Sequence, residues 1–160
     1  MNTDARTAIA SLTIRTPDTV PTLELLGVRI RFLVTSEDTA GAWSLIEYTA
    51  PARFAGPAPH VHAQTLELFY VLDGELSLES AGQHQVLSAG SLAMVPVGTP
   101  HRFANPGEYP CRFLVHASPA GLERYFPALA EIIRESPSWP PADMRPVLEL
   151  GQQFDTFPPA

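Results

Sequence analysis

The sequence predicts an all-β fold, a single closed jelly-roll barrel with a C-terminal helical tail, and three observations carry that prediction. Seventeen prolines and ten glycines punctuate short apolar runs, which is how closely spaced strands joined by tight turns appear in a chain. About eight such runs follow one another with regular turn signals, and this favours a barrel over an open sheet because closure removes exposed strand edges. After Ser118 the apolar period changes from that of a strand to that of a helix.

The expected strands, in order, are Thr22 to Thr35, Gly41 to Ala50, Thr65 to Gly74, Glu75 to Ser80, His84 to Ser88, Ser91 to Gly98, His101 to Pro106 and Cys111 to Ser118. Beyond them Leu122, Tyr125, Phe126, Leu129, Ile132 and Ile133 recur at helical spacing with Glu123, Arg124, Glu131 and Arg134 between them, an amphipathic pattern. Pro127 lies inside that run and has no backbone N–H to donate, so a kink is expected, or a helix that begins near Pro127. A proline-rich stretch, ESPSWPPADMRP, then leads to a last short helix around Val147 to Gln153. The barrel is expected at about 22–118 and the tail at about 119–160, together one domain over 1–160; no internal repeat divides the chain.

Composition narrows the function. A chain of 160 residues with 45% hydrophobic content is enough for one continuous core. It lacks lysine, carries a formal net charge of -7, and spreads its ten arginines singly. Phosphate recognition needs clustered positive charge, so no nucleic-acid partner is expected. No uninterrupted apolar run is long enough to span a bilayer and the first residues have no signal-peptide pattern, so no membrane partner is expected and the protein is expected in the cytoplasm. Cys111, the only cysteine, excludes an intrachain disulfide and reads as a packed residue of a buried strand.

Two segments carry chemistry. In GPAPHVHAQTLELFYVLDG (residues 56–74), His60 and His62 are two apart, so on an extended chain both imidazoles point to one side. Glu67 shares its strand face with Phe69 and Val71, which places a carboxylate in an apolar interior where it needs a compensating charge; a metal cation supplies one. In GSLAMVPVGTPHRFAN (residues 90–105), Pro96 and Gly98 fit a tight turn that fixes where His101 begins. Three imidazoles and one carboxylate form a borderline N/O donor set that suits one divalent transition metal, Fe, Ni, Mn, Co, Cu or Zn, and leave two positions open in an octahedral ion.

These segments resemble the two motifs of the cupin superfamily, G-x5-H-x-H-x(3 or 4)-E-x6-G and G-x5-P-x-G-x2-H-x3-N. The second is matched at Gly90, Pro96, Gly98, His101 and Asn105; the first at His60, His62, Glu67 and Gly74. Only three residues separate Gly56 from His60, so the opening glycine departs from the pattern while the ligands stay intact. The chain looks like the small one-barrel bacterial cupins described as quercetin dioxygenase-like. That resemblance implies metal binding by His60, His62, Glu67 and His101, and a metal-dependent dioxygenase acting on a flavonol or another enolisable or phenolic small-molecule substrate with O2; Glu67 reads either as a plain ligand or as a ligand that is also catalytic, assisting deprotonation of the substrate. It also implies a homodimer, with the strand around Thr22 to Val34 as a contributor.

Other signals have plainer readings. His84, beside a turn, reads as a surface histidine and His116 as a hydrogen-bonded core histidine. Trp43, Phe32, Tyr48, Phe69, Phe103 and Phe113 read as barrel core before substrate contacts. Two other function classes stay open: a non-redox metal enzyme (isomerase, hydrolase or decarboxylase) using the same ligands as a Lewis acid, and a small-ligand-binding barrel without turnover.

Overall fold

The computed structural model describes residues 12–159; the expectation of one domain over 1–160 includes residues 1–11 and 160, which lie outside the described residues. The elements are β1 (Thr22–Leu25), β2 (Val28–Val34), β3 (Ser44–Ala50), β4 (Leu66–Asp73), β5 (Glu75–Ser80), β6 (Gln83–Ser88), β7 (Leu92–Val95), β8 (His101–Ala104), β9 (Cys111–Ser118), α1 (Leu122–Glu135) and α2 (Arg145–Gln153). One antiparallel sheet has the order β1-β2-β3-β9-β4-β7 and a second β6-β5-β8, the jelly-roll arrangement that the turn spacing predicts. Isolated bridges extend the smaller sheet: Phe54 pairs with Asn105, His60 with His101, and Val61 with Phe157.

Alternation builds the core. In β9, Cys111, Phe113, Val115 and Ala117 are buried while Arg112, Leu114 and His116 face outward. Register then fixes the levels of the barrel: Glu67 lies opposite Ala117 and Val95, Phe69 opposite Val115, and Val71 opposite Phe113. Phe69, Val71, Leu76, Phe113 and Ile46 are fully buried. Helix α1 packs on β1 and β3, with Phe126 and Leu129 turned into the core.

The structure corrects the expected boundaries at three places. The run Thr22 to Thr35 is a hairpin, β1 and β2, because Leu26 and Gly27 both adopt positive φ (51° and 82°) and reverse the chain. Nine strands therefore replace eight among the described residues. Helix α1 neither starts at Pro127 nor waits for it, since Pro127 sits inside a continuous helix from Leu122 to Glu135. The start is pinned further upstream by Glu123, whose carboxylate accepts the amide protons of Gly121 and Ser36, both at 2.8 Å. The last helix begins at Arg145, two residues before Val147.

Candidate metal centre

His60 and His62 lie on the extended segment beside β8, Glu67 near the start of β4, and His101 at the first residue of β8. One nitrogen of each histidine and one oxygen of Glu67 all fall within 4.8 Å of one another. His62, Glu67 and His101 are buried, and His60 is only half-buried, so the cluster has one side nearer solvent. The glycines that place these residues are constrained by geometry. Gly98 has a φ of 76° and its amide bonds the carbonyl of His62 at 2.8 Å, tying the two ligand-bearing segments together. Gly56 has a φ of 75°, and a Cβ there would lie 1.7 Å from the carbonyl oxygen of Phe103. The glycine that departs from the sequence pattern is thus still required where it stands.

The three imidazoles are held alike. Nδ1 of His60 faces the carbonyl of Ala58 at 2.9 Å, Nδ1 of His101 the carbonyl of Thr99 at 3.0 Å, and Nδ1 of His62 the carbonyl of Asp155 at 2.8 Å. A carbonyl only accepts, so each Nδ1 carries a proton and each Nε2 is the atom turned toward the cluster; Nε2 of His101 donates to Glu67 Oε2 at 2.8 Å, a proton that a bound cation would replace. Nε2 of His62 is buried and makes no hydrogen bond, although it lies 3.2 Å from Glu67 Oε2, near enough for charge attraction but without hydrogen-bond direction. An orphaned buried nitrogen among two further imidazoles and a carboxylate fits a cation, which satisfies all four donors at once. The donor set thus fits a divalent transition metal held by His60, His62, Glu67 and His101.

The electrostatics of Glu67 and His60 point the same way. Burial opposes ionisation of Glu67, but hydrogen bonding to His101 (Nε2 to Oε2, 2.8 Å) and the adjoining His62 ring outweigh it and bring the carboxyl down to about 2. Burial, reinforced by the His101 ring, brings His60 down to about 4, favouring the neutral form that ligates a metal. His62 is raised: burial lowers it, and the adjoining Glu67 carboxylate more than reverses that.

Next to the cluster lies an aromatic interior. Phe69 stands edge-on to His101 (6.2 Å between ring centres) and contacts Phe103 (5.4 Å); Phe103 meets Phe113 (5.5 Å), and Tyr48 stacks on Phe113 (5.1 Å). Burial first, then repulsion from Glu67, raises the Tyr48 hydroxyl well above its ordinary value. Phe32 joins the core, whereas Trp43 is exposed and stacks on His116 outside the barrel. His116 thus faces away from the metal cluster, and its Nδ1 is buried with no partner among the described residues, which corrects the expectation of a hydrogen-bonded core histidine. His84 bonds the Ser77 hydroxyl at 2.7 Å and is not one of the four clustered ligands. A surface cleft of about 320 Å³ beside the β5–β6 turn borders His101 but none of the other three ligands. The contribution of Asp155 escapes a sequence reading, because nothing local marks an acidic residue that acts on a loop ninety positions away.

Comparison with known proteins agrees with this architecture. The family model described as a cupin domain matches residues 47–117, a span that contains all four ligands. Residues 47–117 are a cupin domain. Over 79 residues this chain is 32% identical to the polyketide synthase CurC of Streptomyces cyaneus, covering 49% of each protein. Over 44 residues it is 46% identical to the quercetin 2,3-dioxygenase of Bacillus subtilis (strain 168), covering 28% of this chain and 13% of that one. The matched cupin region therefore spans about half or less of the curated relatives. Among solved structures, the polyketide cyclase RemF of Streptomyces resistomycificus superposes with a TM-score of 0.59 and 25% identity, over 68% of this chain and 80% of RemF.

Proposed function

We propose that the protein is a metal-dependent enzyme that activates an enolisable or phenolic small molecule inside the barrel, in the manner of a polyketide cyclase. The observation that carries this reading is the convergence of three Nε2 atoms and the Glu67 carboxylate, each Nδ1 already tied to a carbonyl, beside a wall of Phe69, Phe103, Phe113 and Tyr48. A divalent cation held there supplies Lewis acidity toward a substrate oxygen. Glu67, the one carboxylate of the cluster, is the group placed to accept the proton released from a carbon or hydroxyl beside that oxygen. The packed aromatic rings keep water from the apolar side of the cluster. Likeness to RemF, a polyketide cyclase, supports ring formation in a polyketide chain, and likeness to the polyketide synthase CurC supports the same class of substrate.

A second reading, dioxygenation of a flavonol-like substrate, has its own support in the 46% identity to quercetin 2,3-dioxygenase across a short stretch. One experiment separates the two. The protein is stripped of metal and reloaded in turn with Fe(II), Ni(II), Mn(II), Co(II), Cu(II) and Zn(II), with His62→Ala as control. Oxygen uptake is followed with a flavonol, and ring closure with a poly-β-ketone. Turnover of the ketone with Zn(II) under nitrogen is the expected result; oxygen uptake confined to redox-active or Ni(II) forms moves the assignment to a dioxygenase; tight metal binding without either reaction moves it to ligand binding. The proposal includes a homodimer, joined by the outward face of the larger sheet, where Tyr70, Leu92 and Met94 are exposed side by side.

A further inference from the structure

Three successive amides, those of Ala63, Gln64 and Thr65, converge on the side chain of one residue. They donate to the carboxylate of Asp155 at 3.0, 2.8 and 2.8 Å. These amides form the loop between His62 and β4, which carries Glu67. The same Asp155 gives its carbonyl to Nδ1 of His62, and Val61 and Phe157 exchange both backbone hydrogen bonds at 2.9 Å. The other two ligand histidines take their carbonyls from residues two positions away. His62 takes its own from the segment that follows α2.

The conformation of Asp155 adds an independent observation. Helix α2 ends in a Schellman arrangement, with the amide of Thr156 on the carbonyl of Gly151 (2.8 Å) and that of Asp155 on the carbonyl of Gln152 (3.3 Å). Asp155 fills the left-handed position of this motif, with φ 57°, where helix capping alone favours glycine. An aspartate stands there, and its carboxylate is spent on the ligand loop.

We propose that Asp155 is a positioning residue of the metal centre: its carbonyl sets the tautomer of His62 and its carboxylate sets the loop that spaces His62 from Glu67, so that metal binding and docking of the segment after α2 reinforce each other. The inference rests on reading His60, His62, Glu67 and His101 as the metal site. Coupling of this kind is reciprocal.

The discriminating variant is Asp155→Gly, which keeps the left-handed backbone and the carbonyl to His62 and removes only the carboxylate. Co(II) titration, followed by the visible absorption of the bound ion, gives affinity and ligand geometry together, and thermal unfolding of the metal-free protein gives stability. Asp155→Gly is expected to weaken Co(II) binding by about tenfold to a hundredfold and to change its spectrum; metal-free stability is expected to fall because three amides lose their acceptor, a fall partly offset by glycine's ease in the left-handed position. Wild-type affinity and spectrum in Asp155→Gly overturn the proposal while leaving the metal site standing. Absence of Co(II) binding by the wild-type protein overturns the metal reading and this inference together. Hydrogen exchange of the wild-type chain supplies a test free of mutation. Zn(II) is expected to slow exchange at Ala63–Thr65 and at Thr156 and Phe157, and protection confined to the first group overturns the coupling.

Discussion

Two levels of one barrel are built on opposite principles. At the level of Glu67, the interior holds a carboxylate and three imidazoles, each tied to a specific partner. Four residues further along β4, at the level of Val71 and Phe113, the interior is apolar and aromatic, reaching Phe126 of α1 through Tyr48. Burial of apolar surface stabilises the second level outright. Burial of charge at the first level is costly unless a counter-charge is supplied. The aromatic level therefore carries the fold, and the polar level carries a function that the fold supports.

Substitutions at the two levels separate these roles. Phe113→Ala, in a fully buried ring that touches Tyr48, Phe69 and Phe103, is expected to cost about 3–5 kcal/mol of stability, measured by denaturant unfolding, with little change in Co(II) affinity of the protein that remains folded. Glu67→Gln reverses the pattern. Removing the one negative ligand is expected to weaken metal binding by more than about a hundredfold, beyond the usual effect of an outer partner. The metal-free protein should lose less stability than Phe113→Ala does, because neutral imidazoles tolerate a neutral amide. Loss of stability in Glu67→Gln equal to that in Phe113→Ala breaks the contrast.

A smaller effect is expected at the entrance to α1. Glu123 has its carboxyl lowered, because the hydrogen bonds from Ser36 and the amide of Gly121 outweigh the burial that opposes ionisation. A lowered folded-state value means a contribution present above the ordinary carboxylate value and lost as pH falls through the folded-state value. Glu123→Gln is therefore expected to cost about 1–2 kcal/mol at pH 7. The difference from wild type should shrink on acidification, as followed by thermal unfolding; a difference independent of pH removes the role of the charge.

Much of this arrangement is written in local sequence. Alternation puts Glu67, Phe69 and Val71 on one face, and the spacing of His60, His62 and His101 around turn glycines brings four donors together, because strand period and turn chemistry are short-range. What escapes a sequence reading is of two kinds. Leu26 takes a positive φ that a leucine resists, so the hairpin between β1 and β2 has no residue signal beyond Gly27 and is imposed by the pairing of its strands. Pro127 reads as a helix start, yet the anchor of Glu123 on Ser36, 87 positions earlier, decides where the helix begins. Asp155 belongs with these: its contacts span 90 to 93 positions, and nothing in its neighbours announces them.

That span has a consequence for how the protein comes into being. His60, His62, Glu67 and His101 are all made before β9, but the carbonyl that orients His62 arrives only when residue 155 does. A ribosome moving along the message thus exposes four candidate ligands long before the site is finished. Closing so long a loop is entropically slow to be rewarded. On the reading that these four residues hold a metal, the arrangement that orients His62 is complete only after synthesis has passed α2.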